Sequence, residues 1–169
     1  MPVVILVVGT LLFWVIYWFV RMGGIDHIRD QAARRKDEAR RNQARELERT
    51  ASLRAIDDPR DAATVLMLLI ARGRDPTARQ VAAIEDTMRA VFGFDHDLNE
   101  RLVHARFIAS SAQSFAQAAG LFADLFKKRL TNEERCDLVG MVRAIAQIDG
   151  PSATQASEID SFERLITAP

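Results

Sequence analysis

Residues 58–73 read DPRDAATVLMLLIARG, and this stretch decides the fold class of the 169-residue chain. Asp58 is a typical N-cap residue, and Pro59 suits the first position of a helix. Asp61 places a negative charge in the first turn, where the helix macrodipole favours it. An uninterrupted apolar run follows, and Gly73 supplies a helix exit. The stretch therefore predicts a helix over residues 59–73.

Similar start and stop signals recur along the rest of the chain. Thr131 with Glu134, and Ser152 with Gln155, have the spacing of a capping box, and Gly150 falls at a helix exit. No stretch alternates apolar and polar residues with a period of two over the length of a strand. The sequence predicts an all-α fold with six helices, near 59–73, 77–92, 96–111, 113–129, 132–148 and 152–167.

Two of the predicted helix pairs resemble each other in sequence. At an offset of 75 residues, seven of the 25 positions in residues 68–92 are identical to their counterparts in residues 143–167. The pattern Pro-(Thr/Ser)-x-x-Gln-x-x-x-Ile-(Glu/Asp) begins at Pro76 in one copy and at Pro151 in the other. Each copy has the form of a helix, a capped turn and a helix. The sequence therefore predicts two pseudo-repeated helix hairpins that bracket a central pair.

This arrangement resembles the tellurite-resistance protein B (TerB-like) fold, which is also found in membrane-anchored DjlA-type co-chaperones. The resemblance covers roughly residues 60–167. It rests on the repeat and on Ile148-Asp149-Gly150, followed by Ser152 and Glu158, which is similar to the acidic turn of that family. A TerB-like helical bundle over residues 58–169 is the fold that the resemblance implies.

The resemblance also implies that acidic turn residues bind a divalent cation. Asp149, Glu158 and Asp160 are the candidate ligands, because hard cations prefer oxygen ligands. The alternative is that Asp149 ends a helix while the other two lie on a solvated face. In the first repeat, Arg74 and Ala83 stand in the places of Asp149 and Glu158. The chain has no His-Pro-Asp tripeptide, so the J-domain of the DjlA-type proteins is not expected.

The N-terminal stretch is a different kind of sequence. Sixteen of the eighteen residues from 3 to 20 are apolar and none is ionisable. A helix of that length spans about 27 Å, close to the roughly 30 Å hydrocarbon core of a bilayer. A signal peptide would carry a basic n-region and a small-residue cleavage site, and a buried soluble helix would need apolar neighbours on all sides. We expect residues 1–21 to be a transmembrane anchor, with Trp14, Tyr17, Trp18 and Arg21 at the membrane interface.

The charges after this span are unevenly distributed. Residues 21–54 contain ten basic and six acidic side chains, whereas residues 55–169 contain thirteen basic and seventeen acidic ones. The positive-inside rule predicts a single-pass protein with its N-terminus outside and its C-terminus in the cytoplasm. We interpret residues 22–57 as a charged helical spacer, the alternative being attraction to anionic lipids. Nucleic-acid binding is not expected, because no Phe, Tyr or Trp lies between residues 22 and 91 to stack on a base.

Side chains with catalytic potential do not form a recognisable motif. The sequence contains no Gly-x-Ser-x-Gly, His-Glu-x-x-His, P-loop or Gly-x-Gly-x-x-Gly pattern. Asp95-His96-Asp97 is interpreted as a helix start. Cys136 follows acidic residues, which oppose the effect of a helix N-terminus on its reactivity, so a core or boundary thiol is favoured over a reactive one. Most phenylalanines are expected in the core, and an exposed subset would mark a partner groove.

These observations favour a non-enzymatic function. We expect a membrane-tethered protein-interaction module that binds an unidentified protein partner. The positive-inside rule places it on the cytoplasmic face of the membrane. The resemblance implies a bacterial inner membrane and a role in stress response or envelope homeostasis. The alternative is a divalent-cation-binding or metal (tellurite) stress sensor that uses the acidic turn residues.

Overall fold

The structure is a computed structural model, and it describes Leu47, residues 50–71 and residues 76–168. Within these ranges the chain is all-helical and contains no strand, as predicted. Residues 50–54 are helical and precede the helical bundle. Six helices follow, numbered α1 to α6: Pro59–Ala71, Ala78–Ala90, Leu98–Ser111, Phe115–Arg129, Asn132–Gln147 and Ala153–Thr167. Every bound lies within two residues of the predicted one, apart from the predicted end of the first helix at residue 73, which lies outside the described residues.

Helix α1 lies at the centre of the bundle. All ten of its residues from Ala62 to Ala71 are buried. It packs against α2, α3, α4 and α5, while α6 packs against α4 and α5. A helix that is apolar on all sides is expected to be buried in this way. The apolar run quoted above is thus uninterrupted because α1 has neighbours around its whole circumference.

Aromatic side chains join α4 to α6 within the core. The ring of Phe162 makes edge-to-face contacts with Phe115 and Phe126, at centroid distances of 5.7 and 6.1 Å. Such pairs stabilise a core by more than their buried area alone. Leu53 is also fully buried in this core, although it belongs to the stretch interpreted as the spacer.

Helices α5 and α6 begin with the predicted capping boxes. The hydroxyl of Thr131 accepts the N–H of Glu134, and the hydroxyl of Ser152 accepts the N–H of Gln155. The side chains of Glu134 and Gln155 accept the backbone N–H of the cap residue in return. Before α6, Gly150 has φ of 79°, a left-handed conformation that favours glycine. These local signals explain why the helix bounds were predictable.

The start of α3 differs from the prediction. The helix begins at Leu98 rather than near residue 96, and Asp97 is its N-cap. The carboxylate of Asp97 makes no capping hydrogen bond and instead accepts a hydrogen bond from the guanidinium of Arg101. The carboxylate of Asp97 is thus paired with Arg101 one turn later in the same helix, and Arg101 in turn pairs with Asp58 and Asp61.

No helix formed by residues 50–71 and 76–168 is long and apolar enough to cross a membrane. The predicted anchor, residues 1–21, lies outside the described residues together with Trp14, Tyr17, Trp18 and Arg21. Most of the predicted spacer lies outside them as well. The anchor and its interface residues stay predictions.

Candidate functional site

The two repeated segments contact each other near their turns. The hydroxyl of Thr77, the N-cap of α2, donates a hydrogen bond of 2.8 Å to Oδ2 of Asp149 in the turn after α5. The side-chain amide of Gln155 in α6 donates a hydrogen bond of 2.7 Å to the carbonyl oxygen of Ile70 in α1. Both bonds join one hairpin to the other.

Matching positions of the two copies have matching structural roles. They are the N-cap (Thr77 and Ser152), the residue that completes the capping box (Gln80 and Gln155) and a buried isoleucine (Ile84 and Ile159). The repeated pattern therefore encodes a helix start and the core contact one turn after it.

The three candidate cation ligands have different surroundings. Asp149 is exposed and accepts the Thr77 hydrogen bond, whereas Asp160 is exposed and lies 3.3 Å from the guanidinium of Arg143. Glu158 is half-buried, and burial raises the pKa of its carboxyl, which disfavours the charged form that binds a cation. Among the described residues, no three or more His, Cys, Asp and Glu side chains are grouped so that they could hold a metal ion. The cation site stays a prediction.

A small cleft opens between the N-terminal end of α1, the turn after α2 and the N-terminal half of α5. Its volume is about 210 Å³, and its walls are mostly apolar, formed by Ala63, Val91, Phe92, Leu130, Leu138 and Met141. Pockets for drug-sized ligands usually measure roughly 300–1,000 Å³. This apolar cleft therefore has room for about one side chain rather than for a substrate together with a cofactor.

Only some of the charged groups that line the apolar cleft form an ion pair with a group of opposite charge. The guanidinium of Arg60 lies 2.8 Å from the carboxylate of Asp58. Glu134 accepts hydrogen bonds from the backbone N–H and the hydroxyl of Thr131, which lower the pKa of its carboxyl. Neither Glu134 nor Asp137 forms an ion pair with any described residue. The cleft thus carries uncompensated negative charge on its α5 side.

An ion-pair network fixes the α1 side of the apolar cleft. The guanidinium of Arg101 lies 2.9 Å from Asp61 and 3.4 Å from Asp58. Burial alone would raise the pKa of Asp58, but hydrogen bonds from Arg60 and the charges of Arg60 and Arg101 outweigh it and lower the pKa. The same two guanidinium groups lie 4.9 and 4.2 Å from the ring centre of Phe94. Arg60 is therefore held in place by the fold.

The outward face of α3 is a second exposed apolar feature. Val103 and Phe107 lie one turn apart, and the two residues are 66% and 65% exposed. The chain matches no protein-family model, no curated protein and no solved structure.

The phenylalanines follow the prediction that most lie in the core. Six of those in the described ranges are buried, namely Phe92, Phe94, Phe115, Phe122, Phe126 and Phe162. Phe107 is the exception that the sequence could not single out. The placement of Cys136 was predicted wrongly, since its thiol is exposed rather than in the core or at its boundary. The buried stripe of α5 begins at Leu138 and Val139, and Cys136 lies outside it.

The apolar cleft was missed at the level of sequence because separate segments of the chain assemble it. One residue in the sequence, Asp137, pointed to this part of the surface. Asp137 is the sixth residue of α5 and lies beyond the first turn, where the macrodipole no longer accounts for an acidic residue. That signal marks an unusual charge, but it does not reveal the apolar walls beside it.

Proposed function

We propose that this chain is a non-enzymatic protein-interaction module, tethered to the cytoplasmic face of a bacterial inner membrane by residues 1–21. The observation that carries the proposal is the exposed apolar pair Val103 and Phe107 on α3. The exposed apolar surface of this pair contributes nothing to the stability of the free chain. A partner that covered it would remove that surface from water, which is energetically favourable. Large aromatic side chains such as that of Phe107 are common anchors of protein interfaces.

A TerB-like identity of the bundle is part of this proposal. It is supported by the all-helical bundle, by the repeated capped helix starts at Thr77 and Ser152, and by Asp149 and Gly150 in the turn between α5 and α6. A role in stress response or envelope homeostasis follows from that resemblance.

Site-specific photocrosslinking tests the interaction module. We would place p-benzoylphenylalanine at position 107 of the full-length chain in living cells, with the same group at exposed Ala116 on α4 as the control. The proposal expects one discrete crosslinked protein at position 107 that is absent at position 116 and lost when Val103 is changed to Asp. Equal products at both positions, or none at position 107, would contradict the module.

The membrane tether has a separate test. A reporter fused to the C-terminus should be active only if it functions in the cytoplasm, and the chain should sediment with membranes after a high-salt wash. Deletion of residues 1–21 should release it into the soluble fraction. A reporter that is active only outside the cytoplasm would contradict the proposed orientation.

A further inference from the structure

We propose that the apolar cleft is a socket for one apolar side chain of a helical partner segment that also presents a lysine or arginine one turn away. The inference rests on the proposed function, and it names the chemistry of the partner at a surface other than the outward face of α3. It is supported by three properties of the apolar cleft: its size, its exposed apolar rim and its uncompensated charge.

The apolar rim is already in place in the folded chain. Val91 directly follows α2 and is 61% exposed, while Leu130 and Met141 are half-buried on the other side of the cleft. Buried Ala63 and Leu138 form the floor. An apolar side chain inserted between them would remove both its own surface and the rim from water. The volume of about 210 Å³ restricts the insert to about one side chain.

The negative charge beside the apolar cleft favours a partner that carries a lysine or arginine as its second contacting group. Asp137 has no ion-pair partner among the described residues, and Glu134 keeps its negative charge while it caps α5. The nearest cation in the sequence, Arg135, donates instead to the carbonyl oxygen of Ile166 at the end of α6. The guanidinium of Arg60 already forms an ion pair with Asp58. A lysine or arginine of the partner would therefore meet carboxylates that no cation of the described chain neutralises.

This charge contributes more to specificity than to affinity, because ion pairs at exposed sites are weak and opposite charges mainly steer and orient a partner. Reversal of the partner's charge should therefore be more damaging than its removal. The apolar side chain supplies the anchor, and the cation fixes the direction in which the partner helix crosses the cleft.

Methionine methyl signals give a direct readout in the full-length chain. The chain has five methionines, of which Met141 lines the apolar cleft while Met67 and Met88 are fully buried in the core. We would label the methionine methyl groups with ¹³C and titrate a short alanine-rich helical peptide that carries one leucine and one arginine a turn later. The proposal expects the Met141 signal, assigned with Met141→Leu, to shift and saturate while the Met67 and Met88 signals stay.

Peptide and protein variants test the two groups separately. Replacing the peptide's leucine with alanine should abolish the shift, and replacing its arginine with glutamate should weaken binding more than replacing it with alanine. Asp137→Asn should weaken binding of the arginine peptide about two- to fivefold. The matched control is Asp124→Asn, which removes the same charge from an exposed position on α4 and should change nothing. An unmoved Met141 signal, or equal binding of the arginine and glutamate peptides, would overturn the proposal.

The results also separate this inference from the proposed function. A crosslinked partner at position 107 with no peptide response at Met141 would support the interaction module and contradict peptide binding in the apolar cleft. A peptide response with no crosslinked partner would support peptide binding in the apolar cleft and contradict the proposed partner interface on α3. Val103 and Arg106, which are exposed and lie one turn apart on α3, present the same chemistry in the chain itself. Dimers in sedimentation that dissociate in both Val103→Ala and Asp137→Asn would therefore replace the foreign partner with a second copy.

Discussion

The side-chain amide of Gln155 donates a hydrogen bond to the backbone carbonyl oxygen of Ile70 across 2.7 Å, although 85 residues separate the two. The same side chain accepts the backbone N–H of Ser152 through its oxygen and so completes the capping box of α6. Gln155 therefore begins its own helix and, at the same time, binds a backbone carbonyl group of α1 in the other hairpin.

Gln155→Glu isolates the long-range bond. Glutamate keeps the oxygen that completes the capping box, but a carboxylate cannot donate to the Ile70 carbonyl. We expect the free energy of unfolding to fall by about 1–3 kcal/mol. Gln117→Glu is the matched control, because the side-chain oxygen of Gln117 accepts the N–H of Gln113 just before its own helix and makes no long-range bond. This change should alter stability by less than about 0.5 kcal/mol. Urea unfolding followed by circular dichroism gives both values, and equal effects would contradict a structural role for the long bond.

The difference between local and long-range signals determines what the sequence could predict. Capping boxes, glycine exits and apolar periodicity lie within a few residues of one another, so the six helices and the burial of most phenylalanines were predictable. The pairing of Gln155 with Ile70, and of Arg101 with Asp61, depends on tertiary packing and has no local signal. The same holds for the apolar cleft, whose residues come from several segments.

Phe162 is predicted to be a major stabilising residue of the bundle. It is 1% exposed and contacts aromatic rings of α4 at two places. Phe162→Ala removes both ring contacts and leaves a cavity, so we expect a loss of about 3–5 kcal/mol in the free energy of unfolding. Phe107→Ala changes the same residue type at an exposed position and should cost less than about 0.5 kcal/mol. Similar losses in thermal or urea unfolding would mean that Phe107 is buried in the folded chain.

Arg101 is predicted to stabilise the bundle more than a typical surface arginine. Its side chain is 30% exposed and links α3 to the first turn of α1 through Asp61. Arg101→Gln leaves that partly buried carboxylate without a cation, so we expect a loss of about 1.5–3 kcal/mol. Arg89→Gln is the control, because Arg89 is 51% exposed and pairs only within its own helix, and it should cost about 0–1 kcal/mol. Equal unfolding midpoints for the two variants would show that Arg101 contributes no more to stability than the more exposed Arg89.

The predicted cation site has a specific electrostatic signature. The guanidinium of Arg143 lies 3.3 Å from Asp160 and competes with any cation for that carboxylate. A site at Asp149, Glu158 and Asp160 therefore predicts that Arg143→Gln strengthens binding of Ca²⁺, Mg²⁺ or Zn²⁺ and that Asp149→Ala abolishes it. Calorimetric titration of the full-length chain measures both effects. The absence of binding heat in the native chain and in Arg143→Gln would remove the cation from the proposed function.

Stability in acid follows from carboxyl groups with opposite pKa shifts. Arg101, through its hydrogen bond, lowers the pKa of Asp97, and the pKa of Asp58 is also lowered, so both carboxyls fall below the ordinary 3.8. Their stabilising contribution is complete above that value and is lost as the pH falls through the lowered one. Burial raises the pKa of Glu158 above 4.5, so its charge destabilises the folded chain at higher pH and this cost disappears on protonation.

The free energy of unfolding should therefore fall as the pH decreases from about 5 to about 2, and it should fall less in Asp58→Asn, which has lost one of the groups responsible. Glu158→Gln should behave in the opposite way. It should be more stable than the native chain at neutral pH, because the cost of burying a charge is gone, and it should lose more stability in acid, because no compensating protonation remains. Urea unfolding at a series of pH values measures these slopes. A Glu158→Gln variant that is less stable than the native chain at neutral pH would show that the Glu158 carboxylate has a favourable partner when folded.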